Sequence, residues 1–215
     1  MILAEVGIVE PVTEGARIEI LDAAAACFME RGYAATSIDD VARRLRATKG
    51  RIYHHFSSKA DLFAQIFRHG MDMNFAAIEP CRTIEGPAVE KWIAMARVHA
   101  TQMIVTQAYQ RTVWEGVEMH LRGATTPEQR SQLNELVEYR TKYGNIFREL
   151  IARAKAEGDM DFENISIANQ LMFMTLNSPI FWYSQRPGER DRNIKDIVDQ
   201  VVAFALRGLG GRTRH

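Results

Sequence analysis

The run 43-RRLRATKGRIYHHFSSK-59 places six cations, Arg43, Arg44, Arg46, Lys49, Arg51 and Lys59, in seventeen residues without a single acid. Two histidines and Tyr53 are interleaved with them. The whole chain balances 27 basic against 27 acidic residues, so the cluster serves a local partner rather than a general polycation. A DNA duplex is such a partner. It carries a phosphate charge about every 1.7 Å of axis, and cations that dock on it gain from counterion release. Lys49 and Arg51 are residue types that reach guanine O6 and N7, and Arg51 is the first candidate for base readout. Thr48, Tyr53 and Lys59 suit phosphate oxygens, Gly50 lets the backbone come close, and His54 is placed beside the phosphates. A solvated basic face is the plainer reading of such a run. It is set aside only by the elements that carry the run.

Those elements read as helices. Ile18, Leu21, Ala25 and Phe28 recur at spacings of three and four, predicting a helix over 13–31 with Thr13 as N-cap and Gly32 as its stop. Thr36 or Ser37 caps a second helix, with Asp39 and Asp40 in its first turn complementing the dipole. Ile38, Val41, Ala42 and Leu45 form its buried stripe, and Arg46-Ala47 breaks it. Thr48 opens a third short helix to about Phe56, pinned to a core only through Ile52 and Phe56. Ser57 or Ser58 caps a fourth, with Leu62, Phe63, Ile66 and Phe67 inward. Short helix, tight turn, short helix is helix-turn-helix spacing.

The same residues resemble a known family. The segment 32-GYAATSIDDVARRLRATKGRIYHHFSSKADLF-63 is similar to the DNA-binding domain of TetR-family transcriptional regulators, with Gly32, Thr36, Val41, Ala42, Thr48, Lys49, Gly50, Ile52, Tyr53, Phe56, Lys59, Leu62 and Phe63 matching the family pattern. The resemblance covers about a quarter of the chain. It implies DNA contacts from Thr36, Thr48, Lys49, Gly50, Tyr53 and Lys59, to which the basic run adds Arg46, Arg51 and His54. Arg46 departs from the family, which usually has glycine in that turn, and Arg51 stands where many members have a small residue. No contact is carried over to Asp39.

The sequence argues against other classes. Cys27 and Cys81 are the only cysteines and form no CxxC pair, so they make no zinc signature or disulfide framework and read as free thiols in a reducing cytoplasm. The N-terminal MILAEVGIVEPV carries acids and no basic region, so it does not read as a secretion signal. No run is long and apolar enough for a membrane span. His54 and His55 point about 100° apart and have no further metal ligand nearby, so neither a metal nor a cofactor is expected. No HExxH, GxSxG or phosphate-loop pattern appears, and Glu115 and His120 do not share a helical face, so the chain does not read as an enzyme.

Beyond Pro80 and Gly86-Pro87, which punctuate the chain, helices are predicted over about 87–107, 111–121, 127–157, 164–183 and 191–207, with a loop at 185–188. No strand pattern persists, so the fold class is all-α. A helix-turn-helix head over 13–60 precedes a ligand-binding and dimerising body over 61–208. Methionines and aromatics populate the body. Trp114, Met119, Phe147 and Met172 are taken as the ligand wall by resemblance, although such residues more often fill a core. The last two helices are apolar on more than one side and are expected to bury against a second copy. The resulting expectation is a cytoplasmic, homodimeric repressor, released from a palindrome in double-stranded DNA by a small, fairly apolar or acyl-like effector. The rival is an all-α interaction module whose helix-turn-helix docks a protein.

Overall fold

The computed structural model describes residues 10–123, 126–184 and 191–211, with the side chains of 10–14 and 191–192 left aside. The described residues form ten helices and no strand. The head comprises α1 (Glu10–Ala35), α2 (Ile38–Arg44) and α3 (Lys49–His55). The body comprises α4 (Lys59–Arg82), α5 (Ala88–Val105), α6 (Gln107–Arg122), α7 (Pro127–Ala156), α8 (Ile165–Asn177), the single turn α9 (Pro179–Trp182) and α10 (Asp191–Gly208).

Local chemistry sets the breaks. Gly32 takes φ 77°, bending the chain out of α1 near the expected stop, and the helix itself starts at Glu10, upstream of Thr13. Ser37 caps α2 in a capping box with Asp40. Arg31 and Arg43 each sit 2.9 Å from the Asp40 carboxylate. Hydrogen bonds from the Ser37 hydroxyl and amide, then the two guanidinium groups, hold that carboxyl well below its usual range. Ser58 caps α4 and Thr126 caps α7, again with a box, while Gly123 and Gly158 take positive φ at helix ends. Asn164 caps α8. Arg46 is the one non-glycine with positive φ among the described residues, at 53°, in the turn where relatives of the motif carry glycine. An arginine there costs about 1–2 kcal/mol of backbone strain.

Pro80 does not interrupt the chain. It lies inside the last turns of α4, which continues to Arg82. The loop expected at 185–188 lies outside the described residues.

Two apolar clusters result. In the head, Leu21, Phe28, Val41, Ile52, Phe56 and Phe63 close one core. The larger one, around Phe67, Trp92, Met95, Phe147, Met172 and Leu206, fills the body. The helix α4 contributes to both, so the boundary drawn at residues 60/61 falls within its first turn. The helices α4 and α6 approach closely because Gly116 has no side chain: a Cβ there would lie 2.7 Å from the Phe67 ring. The packing joins head to body through α6, which runs along α1.

Candidate DNA interface and effector cavity

On α3 only Ile52 is buried, with Phe56 anchoring the residue that follows the helix. The opposite side carries Lys49, Gly50, Tyr53 and His54, all exposed and spaced by one and four so that they share a face. Thr48 and Arg46 are exposed just before that face, and the Thr48 side chain makes no capping bond to its own helix. Arg51 is half-buried on the flank. Lys49 and Arg51 are each ion-paired in the free head, Lys49 with Asp39 at 2.7 Å and Arg51 with Glu19 at 2.5 Å. These pairs are solvent-exposed and worth little, so a phosphate or base edge displaces them at small cost. A Cβ added to Gly50 meets nothing closer than the Thr48 hydroxyl at 3.7 Å, and no positive φ demands glycine there. Nothing within the protein requires glycine at position 50.

Two residues expected at the DNA surface are turned into the head instead. Thr36 is buried, and its hydroxyl is directed at Gly32 O (2.8 Å) and Cys27 O (3.2 Å) near the end of α1. Lys59 donates to Tyr33 O and Thr36 O, both at 2.9 Å, with its ammonium 4.3 Å from the Tyr33 ring centroid. The segment after Gly32 leaves carbonyls without helical partners, and a buried carbonyl needs a donor. Lys59 supplies it.

The body holds a half-open cavity of about 230 Å³ between α4, α5, α6, α7 and α8. Trp114 lines it. The other three residues expected to line it do not. Phe147 is fully buried among His99, Tyr143 and Phe173, Met172 is buried and accepts from Trp92 Nε1 at 3.1 Å, and Met119 packs against the head core. Nor is the wall the apolar box expected. Asn74, Gln110, Asn169, Gln170 and Asn177 present amides to it, and Arg140 and Arg148 present cations.

The deep wall is ordered by hydrogen bonds. Gln110 Nε2 donates to Gly70 O (3.2 Å) and to Thr106 Oγ1 (3.0 Å), and its Oε1 accepts from Asn74 Nδ2 at 2.9 Å. His99 is buried with Nε2 2.9 Å from Asn177 Oδ1 and Nδ1 2.9 Å from the Tyr143 hydroxyl. The Asn177 oxygen places the proton on Nε2 and leaves Nδ1 to accept from Tyr143. Burial, far more than Arg140 nearby, pulls His99 down to about 4, so the ring stays neutral. A depressed pKa means that its contribution is complete above the unfolded value near 6.5 and is lost as pH falls toward 4. We expect about 3 kcal/mol of stability to disappear across that window in urea titrations, and His99→Gln to flatten the dependence.

The helix α6 faces the cavity with Gln110, Val113 and Trp114 and the head with Tyr109 and Glu115. Tyr109 donates to Asp22 of α1 at 2.7 Å, and the half-buried Glu115 carboxylate accepts the Tyr33 amide at 2.7 Å. Glu115 was legible only as a carboxylate with no catalytic partner. Its use is as a brace. Among the described residues no cluster of His, Cys, Asp or Glu is arranged to hold a metal, and no helix is long and apolar enough to cross a membrane.

A helix-turn-helix with an exposed basic recognition face, on an all-helical body that holds a polar cavity, defines a small-molecule-responsive class of DNA-binding regulator. The chain belongs to the TetR family of bacterial regulatory proteins: the family's N-terminal model matches residues 20–66, and the tetracycline-repressor-like C-terminal domain matches 85–209. It is 28% identical over 204 residues to the HTH-type transcriptional repressor KstR2 of Rhodococcus jostii, covering 91% of each chain. Its fold is similar to the ketosteroid transcriptional regulator KstR2 of Mycobacterium tuberculosis (TM-score 0.75, 21% identity, 92% of this chain and 95% of that one). It is also similar to AibR, solved with isovaleryl coenzyme A and operator DNA (TM-score 0.68, 22% identity, 92% of this chain and all of that one). The protein is a TetR-family transcriptional regulator, and KstR2 among its relatives is a transcriptional repressor.

Proposed function

We propose that this regulator is a homodimeric repressor whose two α3 helices read a palindromic operator, and that a small molecule in the body cavity releases it. The observation that carries the reading is α6, one rigid element with its inner face on the cavity and its outer face bonded to α1 through Tyr109–Asp22 and Glu115–Tyr33. A ligand that shifts α6 moves the head, and it acts by binding the DNA-incompetent spacing better than the competent one. Lys49, Gly50, Arg51, Tyr53 and His54 are assigned to the operator, with Thr48 and Arg46 at its edge. Thr36 and Lys59 are assigned to the frame that holds them.

The test is a salt-titrated gel shift on the duplex upstream of the protein's own gene beside a scrambled one, followed by selection from random duplexes. A sequence-specific regulator binds one sequence tightly and with a steep salt slope. Failure of both, with and without candidate effectors, would favour a protein-docking head. Within this reading Arg51→Ala is expected to cost about 1–3 kcal/mol at one base position and little elsewhere, measured on operator variants. Gly50→Ala separates stability from binding. We expect melting to hold or improve by up to about 1 kcal/mol, since alanine is the better helix former. Operator affinity should fall about tenfold or more as the methyl holds the backbone off the duplex.

A further inference from the structure

The cavity wall contains Arg140 and Arg148 and not one carboxylate. Arg148 is exposed, beside Ser166 at 3.4 Å, at a rim that Asn145 and Gln170 also expose. Arg140 is different. It is half-buried one helical turn from the buried Tyr143, and among the described residues it has neither an ion-pair nor a hydrogen-bond partner. Burial alone pulls its guanidinium down from the ordinary range, which still leaves it charged. A charge withdrawn from full hydration without a partner is unfavourable, and the well-buried polar groups His99, Tyr143, Gln110 and Asn177 around it each have one. His99, which feels the Arg140 charge, is neutral and offers no compensation. An apolar guest would leave the Arg140 charge unpaired.

Resting on the reading that the cavity is the effector site, we infer that its effector is a compact organic acid whose carboxylate pairs with Arg140, rather than an apolar molecule. A planar guanidinium matches a carboxylate in a two-pronged geometry. Size supports the same choice. About 230 Å³ is below the roughly 300–1,000 Å³ of typical drug-sized pockets, so the cavity suits a short acid and does not engulf a long chain or a whole nucleotide carrier. Arg148 at the rim attracts the anion and Arg140 retains it.

The probes are hexanoate, octanoate, benzoate and cyclohexanecarboxylate, each beside its uncharged primary amide and beside its coenzyme A thioester. Binding is read as the rise in melting temperature of the full chain, without DNA, so that the result is independent of the operator experiment. We expect at least one carboxylate to stabilise the protein and its amide to bind at least about tenfold more weakly. Arg140→Gln should erase that preference and Arg140→Lys keep part of it, with melting of the free variants confirming that each is folded. Removing an unpaired, half-buried charge should leave Arg140→Gln no less stable than the parent. The proposal is overturned if amides bind as well as acids, if no acid binds, if Arg140→Gln keeps the preference, or if only the thioesters bind. The last outcome would assign the anion to carrier phosphates at the rim.

Discussion

Replacing Phe204 with glutamate is expected to convert the protein to a monomer and to remove operator binding while leaving the fold intact. Phe204 on α10 is 69% exposed, and Leu171 on α8 is 62% exposed. Around them Ile167, Met174 and Trp182 also face outward. The expectation that both helices must be covered on all sides meets a sharper arrangement here. Ala168, Met172, Phe173 and Leu176 of α8, and Val198, Val202, Ala205 and Leu206 of α10, face the body core, while the other side of each helix stands open. Such a contiguous apolar face on a soluble chain marks an interface. In the proposed homodimer a second copy across a twofold axis covers it with the same face. Phe204→Glu adds no cost to the isolated chain, since the site is exposed. In the dimer it buries two unpaired carboxylates related by the axis, each costing several kcal/mol. Sedimentation at low protein concentration should show the monomer, with the melting profile of the body retained. Operator affinity should drop more than about a hundredfold because one head reads only one half-site. A variant that stays dimeric and binds the operator normally would place the interface elsewhere.

The fold was legible because its signals are local. Ser37, Ser58, Thr126 and Asn164 cap helices for reasons carried by their own side chains, and Gly32, Gly123 and Gly158 end helices or accept left-handed φ. Pro80 misled because a proline near a helix end removes one backbone donor without ending the helix in this context. The exposed face of α3 was legible for the same local reason: Ile52 and Phe56 fix which side is inward. The cavity was not legible. It is a volume left between five helices, and whether Phe147 lines it or fills the core beside it depends on the neighbours' shapes. Arg140 did carry a signal. It stands three and seven residues before Tyr143 and Phe147, a cation on an otherwise aromatic stripe, and a cation on a buried stripe asks for a partner.

Lys59 shows where pattern and geometry diverge, and its replacement is the other large effect expected. In a basic run, a lysine beside a helix start reads as a phosphate contact. Under that reading Lys59→Met leaves stability unchanged and lowers the salt slope of DNA binding by about one, uniformly across sequences. The geometry says otherwise. The ammonium donates to Tyr33 O and Thr36 O and lies over the Tyr33 ring, closing the segment after the Gly32 bend. Methionine keeps much of the stem's apolar packing and removes the charged donor. Each charge-assisted bond contributes about 1.5–3 kcal/mol, and the carbonyls left behind are only partly reached by water. The head is therefore expected to lose about 2–4 kcal/mol, a large fraction of the stability of a small domain. Unfolding would be followed by hydrogen exchange at the amides of α2 and α3, which report the head separately from the body. Protein that remains folded at low temperature should bind the operator with an unchanged salt slope, because no phosphate contact was removed. A full-strength head with a reduced slope would return Lys59 to the DNA surface. A weakened head with an unreduced slope would identify it as the cation that holds the recognition helix in place.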